Sequence, residues 1–390
     1  MLNMFLFLSG MFILTLALGK LIEKIRVPWI FAALLIGTAL SVKNPFQDII
    51  SSQAFTFLAR LGMYLLLFVI GFELDLNKLK KTSSFILKST FFIIPIEAFF
   101  GSLLIHFVFG YSWLMSIIVA ISFATVGEAI LVPILDEFKI INSKLGHSII
   151  GIGTLDDLIE VALLVVVVFL VGSKLSLVDH VNTAMIIISL GVLFGLTFTF
   201  TKLKKKKEKF MFLDVNTMFV FVLFVLFLFI GIGAYADVEP LAAILAGIAI
   251  KTFVPDKRVK EIEHEVKTVC YGLFAPIFFL WVGSSLNLHY LIKYPIMVLL
   301  VVLVSSAGKL IASLVAGVKE LGFKQALLLG VGLSARFSTS IIIVKILLDS
   351  GFIDTGLYSI IVSSSIIFTF VIPVLFANLL ARFKVGYTKS

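Results

Sequence analysis

Charge is scarce in this 390-residue chain: Asp, Glu, Lys and Arg together make up 14%, against about 25% in ordinary soluble domains. Hydrophobic residues reach 60%, more apolar surface than a water-soluble core can hide, so nucleic-acid binding, secretion and cytosolic metabolism drop out as classes. Cysteine is nearly absent. The single Cys270 excludes a disulfide framework and leaves no basis for a cysteine-based metal site. No Walker sequence couples ATP, and no hydrolytic or redox motif is visible; the chain is not read as an enzyme and no cofactor is expected. What is abundant is phenylalanine, 40 residues of it, and a mean hydropathy of +1.16. Apolar stretches of about 20 residues recur, which defines an all-α polytopic membrane protein with lipid as its first partner.

Punctuation by charge, Gly, Pro and Asn divides the chain into about thirteen transmembrane helices, near 3–19, 27–42, 54–75, 84–109, 112–135, 145–172, 180–201, 211–236, 239–254, 265–286, 292–317, 325–349 and 355–381. With these spans, 24 Lys and Arg fall in connections on one side and three, Lys43, Lys174 and Lys293, on the other. A miscount in the middle would destroy that asymmetry. The positive-inside rule then puts the N-terminus outside and the C-terminus in the cytoplasm of a multi-pass protein of the cell membrane. The net charge of +9 therefore marks cytoplasmic loops, not an anionic polymer as partner. The densest run, 202–209, is read as a cytoplasmic basic linker near the middle of one membrane transport domain spanning 1–390. The first span has its positive charges after the apolar run, unlike a signal peptide, and is expected to be retained.

The chain resembles itself. Pro28 followed by Ala32-Ala33-Leu34-Leu35-Ile36-Gly37 recurs as Pro240 followed by Ala242-Ala243-Ile244-Leu245-Ala246-Gly247, and Gly71-Phe72-Glu73-Leu74-Asp75-Leu76 recurs as Gly283-Ser284-Ser285-Leu286-Asn287-Leu288. The repeat moves span two onto nine and three onto ten; an odd shift of seven spans turns the second copy upside down. The expected repeats are 27–172 and 239–381, an arrangement found in many secondary transporters. The same shift relates spans five and twelve. Both have breaker-rich centres, Ala124-Thr125-Val126-Gly127-Glu128 and Gly330-Val331-Gly332-Leu333-Ser334-Ala335-Arg336, and two discontinuous helices crossing there would leave backbone ends needing charge compensation.

Ionisable side chains at membrane depth cost several kcal/mol by insertion scales, so each is paired or working. Asp156 and Asp157 lie side by side about 12 residues into the sixth span. Two adjacent carboxylates repel, and burial removes their hydration, so near neutral pH at least one holds a proton unless a cation is bound. Such a pair is a proton/cation exchange device. Lys309 is too deep in the eleventh span to snorkel and seeks a carboxylate; an Asp156–Lys309 ion pair would leave Asp157 for the ion. Thr125 and Glu128 offer oxygens at the first break. Glu73 and Asp75 close the third span, Arg336 is a partner for a buried acid, and Glu73 is read with Lys309 and Arg336 as the ion-pairing, coupling set. Arg60, Lys88, Glu97 and Lys345 are further intramembrane charges without an assigned partner, and Glu160 lies one turn beyond the aspartates.

The Gly71–Leu76 stretch, Ala124 through Leu135, Leu145-Gly146, Asp156-Asp157, Phe279 through Asn287, Gly308-Lys309 and Gly332 through Arg336 together resemble the Kef-type sodium/hydrogen exchanger family, the second group of monovalent cation:proton antiporters. The likeness runs from about Leu18 to Leu380. It implies an inverted-repeat fold with crossed broken helices, a homodimer, and exchange of protons for a monovalent cation, Na⁺ first with Li⁺ or K⁺ open. By that likeness Asp157 is the shared proton and cation carrier, Asp156 its neighbour paired with Lys309, and Thr125 sits at the crossing. Three departures stand out: Glu128 brings an acid into the crossing motif, Phe337-Ser338 replace the Gly-Glu that often follows Arg336, and the nucleotide-binding tail of the potassium-efflux members is absent. The rival reading is a passive cation channel or a non-transporting sensor on the same fold. A lysine-neutralised acid pair within a repeat favours alternating access, whereas a channel would prefer rings of like residues about a symmetry axis.

Overall fold

A computed structural model describes residues 3–74, 83–179, 183–202, 214–255, 258–336 and 338–385, with the side chains at 128, 129, 169, 171–179, 183–186, 201 and 338 outside the description. Beyond Lys202 the basic linker falls outside the described residues, as do Asp75 and Phe337. Among the described residues regular structure is helical throughout. In chain order the helices are α1 (Met4–Glu23), α2 (Phe31–Leu40), α3 (Gln47–Ile50), α4 (Gln53–Glu73), α5 (Ser84–Phe109), α6 (Trp113–Phe123), α7 (Glu128–Glu137), α8 (Lys144–Asp179) and α9 (Thr183–Lys202). There follow α10 (Val215–Gly233), α11 (Glu239–Phe253), α12 (Val259–Val269), α13 (Ala275–Ser284), α14 (Leu288–Lys293), α15 (Pro295–Leu321), α16 (Phe323–Leu333), α17 (Ser338–Asp349) and α18 (Thr355–Phe383).

The polar punctuation of the sequence becomes helix capping. Asn3, Ser52, Ser83, Ser112, Asp214 and Asp354 each accept a hydrogen bond from a backbone N–H of the first turn that follows, giving α1, α4, α5, α6, α10 and α18 their starts. Seven of the expected spans are single helical stretches long and apolar enough to cross a membrane: 4–23, 53–73, 84–109, 215–236, 259–284, 295–321 and 355–383. Shorter apolar helices include 31–40, 113–123 and 323–333. The stretches 112–135 and 325–349 are each broken in two, as their glycines imply. The tenth span differs from its sequence reading, since it starts at Val259 and contains a π-helical turn, Cys270–Phe274, between α12 and α13.

The chain forms two compact units. One comprises Met1–Pro45, Leu76–Leu163 and Val282–Ser390, the other Phe46–Asp75 and Leu164–Trp281. In the first, α15 packs along both α5 and α16, and α5 also packs on α6. In the second, α4 packs on α11 at glycines: a Cβ on Gly71 would collide with the Ile244 carbonyl, and one on Gly247 with the Phe68 carbonyl. The first unit contains a matching contact, where a Cβ on Gly283 would strike the Leu34 carbonyl and come within 2.7 Å of the Thr38 nitrogen, over Gly37. These helices touch backbone to backbone, the close approach that small residues permit inside a membrane. Gly231 in α10 has no neighbouring atom within 4 Å of such a Cβ. Gly71→Val is therefore expected to cost about 1–3 kcal/mol or more through overpacking and to lower the melting temperature well below that of Gly231→Val. Equal melting temperatures would contradict the tight α4–α11 contact.

Candidate functional site: the crossing of two broken helices

Helix α6 stops at Ala124, whose N–H still bonds to Ala120 and Ile121, and the chain runs unwound through Thr125, Val126 and Gly127 before α7 begins. Helix α16 likewise ends near Ser334 and α17 starts at Ser338. The two breaks meet, for Gly127 N–H donates to the Ala335 carbonyl at 2.7 Å. Each break leaves C-terminal carbonyls without helical partners, and these carry the negative end of the helix dipole.

Two buried cations answer those carbonyls. Lys309, fully buried, donates from Nζ to Ala124 O at 2.7 Å and Leu333 O at 2.8 Å, one carbonyl from each broken helix. Arg336, also fully buried, donates to the Thr125 carbonyl, and its guanidinium lies 4.8 and 5.1 Å from the ring centres of Phe123 and Phe368. Both cations converge on Glu97 of α5, 2% exposed: Lys309 Nζ is 2.8 Å from Oε2, and Arg336 pairs with Oε1. Ser305 closes the cluster, donating to Glu97 and accepting from Arg336 Nη2 at 2.7 Å. Burying two cations is costly in desolvation, and the shared carboxylate with the helix-end carbonyls supplies the compensation.

Helix α8 presents the acids to this crossing. Asp156 is fully buried; its Oδ2 accepts the Val126 N–H at 2.5 Å, whereas its Oδ1 has no hydrogen-bond partner among the described residues. Asp157, the next residue, lies about 100° further round the helix and is half-buried. Glu160, one turn on, is 3% exposed, and in the first break the Thr125 hydroxyl donates to the Ser122 carbonyl at 3.2 Å. At the surface of this unit Arg26 pairs with Glu137 at the end of α7 at 2.6 Å and holds that carboxyl below the usual glutamate range.

The structure thus brings Thr125, Asp156, Lys309 and Arg336 together, with Asp157 beside them on α8. Glu128 opens α7, and its side chain lies outside the described residues. Two expectations need correction. The Asp156–Lys309 ion pair is not formed: Glu97 and two helix-end carbonyls occupy Lys309, and Asp156 is turned to the Val126 amide. Glu73, at the end of α4, pairs with Lys267 at 2.5 Å; Lys267 also bonds Glu263 at 2.6 Å, so Glu73 belongs to a partly exposed cluster with α12. The buried acid that Arg336 requires is Glu97, which the sequence reading left without a partner.

The family described as "Sodium/hydrogen exchanger, transmembrane" matches residues 10–382. The chain belongs to the sodium/hydrogen exchanger family. Among curated relatives, this exchanger is 23% identical to the probable Na(+)/H(+) antiporter GerT of Bacillus cereus, over 83% of this chain and 85% of that protein. It is 25% identical to the Na(+)/H(+) antiporter of Enterococcus hirae, over 81% and 82%, and 24% identical to the Na(+)/H(+)-K(+) antiporter GerN of Bacillus cereus, over 91% and 90%. In fold it is similar to the sodium proton antiporter MjNhaP1 from Methanocaldococcus jannaschii, with a TM-score of 0.62 and 19% identity over 98% of each chain. This exchanger is a multi-pass membrane transporter and not an enzyme, and the crossing of its two broken helices is the geometry expected of a transporter binding site.

Proposed function

We propose that this exchanger is a secondary antiporter of the Kef type that trades protons for a monovalent cation, Na⁺ foremost, by alternating access. The observation that carries the reading is the juxtaposition of the α8 acids with a crossing whose own dipoles are already compensated. Lys309 and Arg336 are engaged by Glu97 and by carbonyls, and Oδ1 of Asp156 has no hydrogen-bond partner among the described residues. Asp157, the less buried of the two, is the carrier. It takes a proton when facing the acidic side and gives it up for a cation when facing the other. Asp156, tied to the Val126 amide in the break, senses the position of the crossing and links carrier occupancy to helix movement.

The pairs Gly71 with Gly247 and Gly283 with Gly37 support the two inverted repeats, 27–172 and 239–381, because each glycine of one pair is the sequence counterpart of one in the other. The basic asymmetry of the connections supports an external N-terminus and a cytoplasmic C-terminus in the cell membrane. A homodimer follows from the family resemblance.

If proton and cation compete for Asp157, apparent Na⁺ affinity must weaken as pH falls, because protons then fill the site. Below the carrier's pKa the half-saturating Na⁺ concentration should rise about tenfold per pH unit, and above it level off. Na⁺-dependent proton flux in proteoliposomes over a pH series measures this. A half-saturating concentration indifferent to pH across the active range would mean separate, non-competing sites.

A further inference from the structure

The connection between α7 and α8 is staked to its surroundings by two ion pairs, one at each end. Arg26, in the turn after α1, grips Glu137, the last residue of α7, through two guanidinium nitrogens, Nε to Oε2 at 3.0 Å and Nη2 to Oε1 at 2.6 Å. Lys144, the first residue of α8, donates to the side chain and the carbonyl of Glu320, near the end of α15, at 2.7 and 2.8 Å. Between them the backbone is tight, for a Cβ on Gly146 would collide with the Ile140 carbonyl.

Arg26 and Glu137 each stand where local preference argues against them. Helices α1 and α7 close alike: Val27 N–H reaches back to the Ile22 carbonyl and Arg26 N–H to Glu23, as Ile140 N–H does to Leu135 and Lys139 N–H to Asp136. That closure holds Arg26 at φ 64°, a left-handed position that glycine usually fills and that Gly110 fills after α5. Glu137 is an acid in a final turn, where the helix dipole favours a cation, and α7 has no basic residue there. Two residues held against local preference mark a constraint set by their partnership, not by either helix.

The two ion pairs join different things. Helices α8 and α15 both carry residues of the crossing, Asp156 and Lys309, so Lys144–Glu320 lies within that assembly. The turn after α1 contributes no residue to the crossing as described, whereas α7 is the second half of the first broken helix. The repeat has no equivalent of this pair: a shift of 212 residues carries Glu137 onto Asp349 but Arg26 onto the uncharged Val238, and Asp349 is paired with Lys345 of its own helix.

We propose that Arg26 and Glu137 form a latch on the cytoplasmic face that holds the end of α7 in this conformation, opens in each transport cycle and loosens as ionic strength rises. The proposal rests on the alternating-access reading and the topology given above. Both side chains are about half exposed, 40% and 53%, so dissolved salt screens their attraction. A bond made in one state and broken in the other favours the first and slows departure from it. Rising cytoplasmic salt therefore releases the brake on the exchanger.

The test joins proteoliposome flux to amide hydrogen exchange of the purified full chain, for wild type, Arg26→Gly, Glu137→Gln, the swap Arg26→Glu with Glu137→Arg, and Lys144→Gln. Choline chloride raises the ionic strength from about 0.01 to about 1 M at constant Na⁺, pH and osmolality, shrinking the Debye length from about 30 to about 3 Å. Wild-type exchange of Na⁺ for protons should then speed up about two- to fivefold, the span of a well-formed exposed ion pair. Amides of the 138–143 connection should exchange faster by a similar factor. Arg26→Gly and Glu137→Gln should be fast already at low salt and indifferent to it, the swap should restore the salt response, and Lys144→Gln should behave as wild type. Arg26→Gly should melt no earlier than wild type, because glycine suits the left-handed backbone. Single variants that keep the wild-type rate and salt response would overturn the proposal, and so would a swap that stays indifferent to salt. A slower or less stable Arg26→Gly protein would overturn it as well, being the mark of an ion pair that only staples the fold. Absence of Na⁺-coupled flux in wild type would instead contradict the exchange reading, and the salt response of the 138–143 amides would then judge the latch by itself.

Discussion

Asp157→Asn should abolish exchange and leave a folded protein. The amide preserves the size and most of the hydrogen-bonding capacity of the carboxylate at a half-buried position of α8, yet it can neither carry a proton nor offer a full negative charge to a cation. A carrier carboxylate is the one group whose two occupancies define the transport cycle, so its loss should remove Na⁺-dependent proton flux altogether. A packing role would show as a shifted melting temperature with flux reduced in proportion to surviving protein. Residual flux above about a tenth of wild type in correctly folded Asp157→Asn would remove Asp157 from the carrier role.

Glu97→Gln is expected to be the most destabilising single substitution in the crossing. It strips the common counter-charge from two fully buried cations. Breaking a buried ion pair from one side costs about 3–5 kcal/mol because the survivor is left uncompensated. Lys309 can escape by releasing its proton; the Arg336 guanidinium cannot. Lys309→Gln should be milder, since Glu97 keeps Arg336 and Ser305 as partners. The double variant Glu97→Gln with Lys309→Gln should not be additive, because the second change removes one of the cations that the first left unpaired. A double-mutant cycle on melting temperature in one detergent measures the coupling. Additivity within about 0.5 kcal/mol would mean that the two side chains do not interact.

Much of this architecture was legible in the sequence, for definite reasons. Glycine-rich interruptions at Ala124–Gly127 and Gly330–Arg336 are composition signals, and both became breaks that meet. Gly71, Gly247 and Gly283 stood in the sequence as marks of the repeat; that they are also close helix contacts, which only a missing Cβ permits, is seen in the structure. The burial of Lys309 and the need of Arg336 for a buried acid followed from depth alone. Depth did not, however, identify the partner. Asp156 and Lys309 were matched by their level in the membrane, but which acid faces a lysine is set by helix rotation. A signal for Glu97 was nevertheless present: the shift of 212 residues that carries Gly71 onto Gly283 carries Glu97 onto Lys309. In the proposed inverted repeat these are counterparts on equivalent helices, opposite in charge and facing each other. The π turn at Cys270–Phe274 had no such signal, as an i→i+5 pattern leaves no mark in composition. It shows only in packing, where Gly62 comes so close to the Phe274 carbonyl that a Cβ would not fit.

The central claim, coupled exchange at the crossing, is tested most directly by uphill proton movement. Proteoliposomes carrying the wild-type protein are loaded with a pH dye, the membrane potential is clamped at zero with valinomycin and equal K⁺, and internal and external pH start equal. An outward Na⁺ gradient should then acidify the lumen below the bath, and an inward gradient should alkalinise it. Both responses should saturate with Na⁺ and vanish in Asp157→Asn. A lumenal pH that never leaves the bath value under either gradient, or that responds equally in Asp157→Asn, would contradict the account.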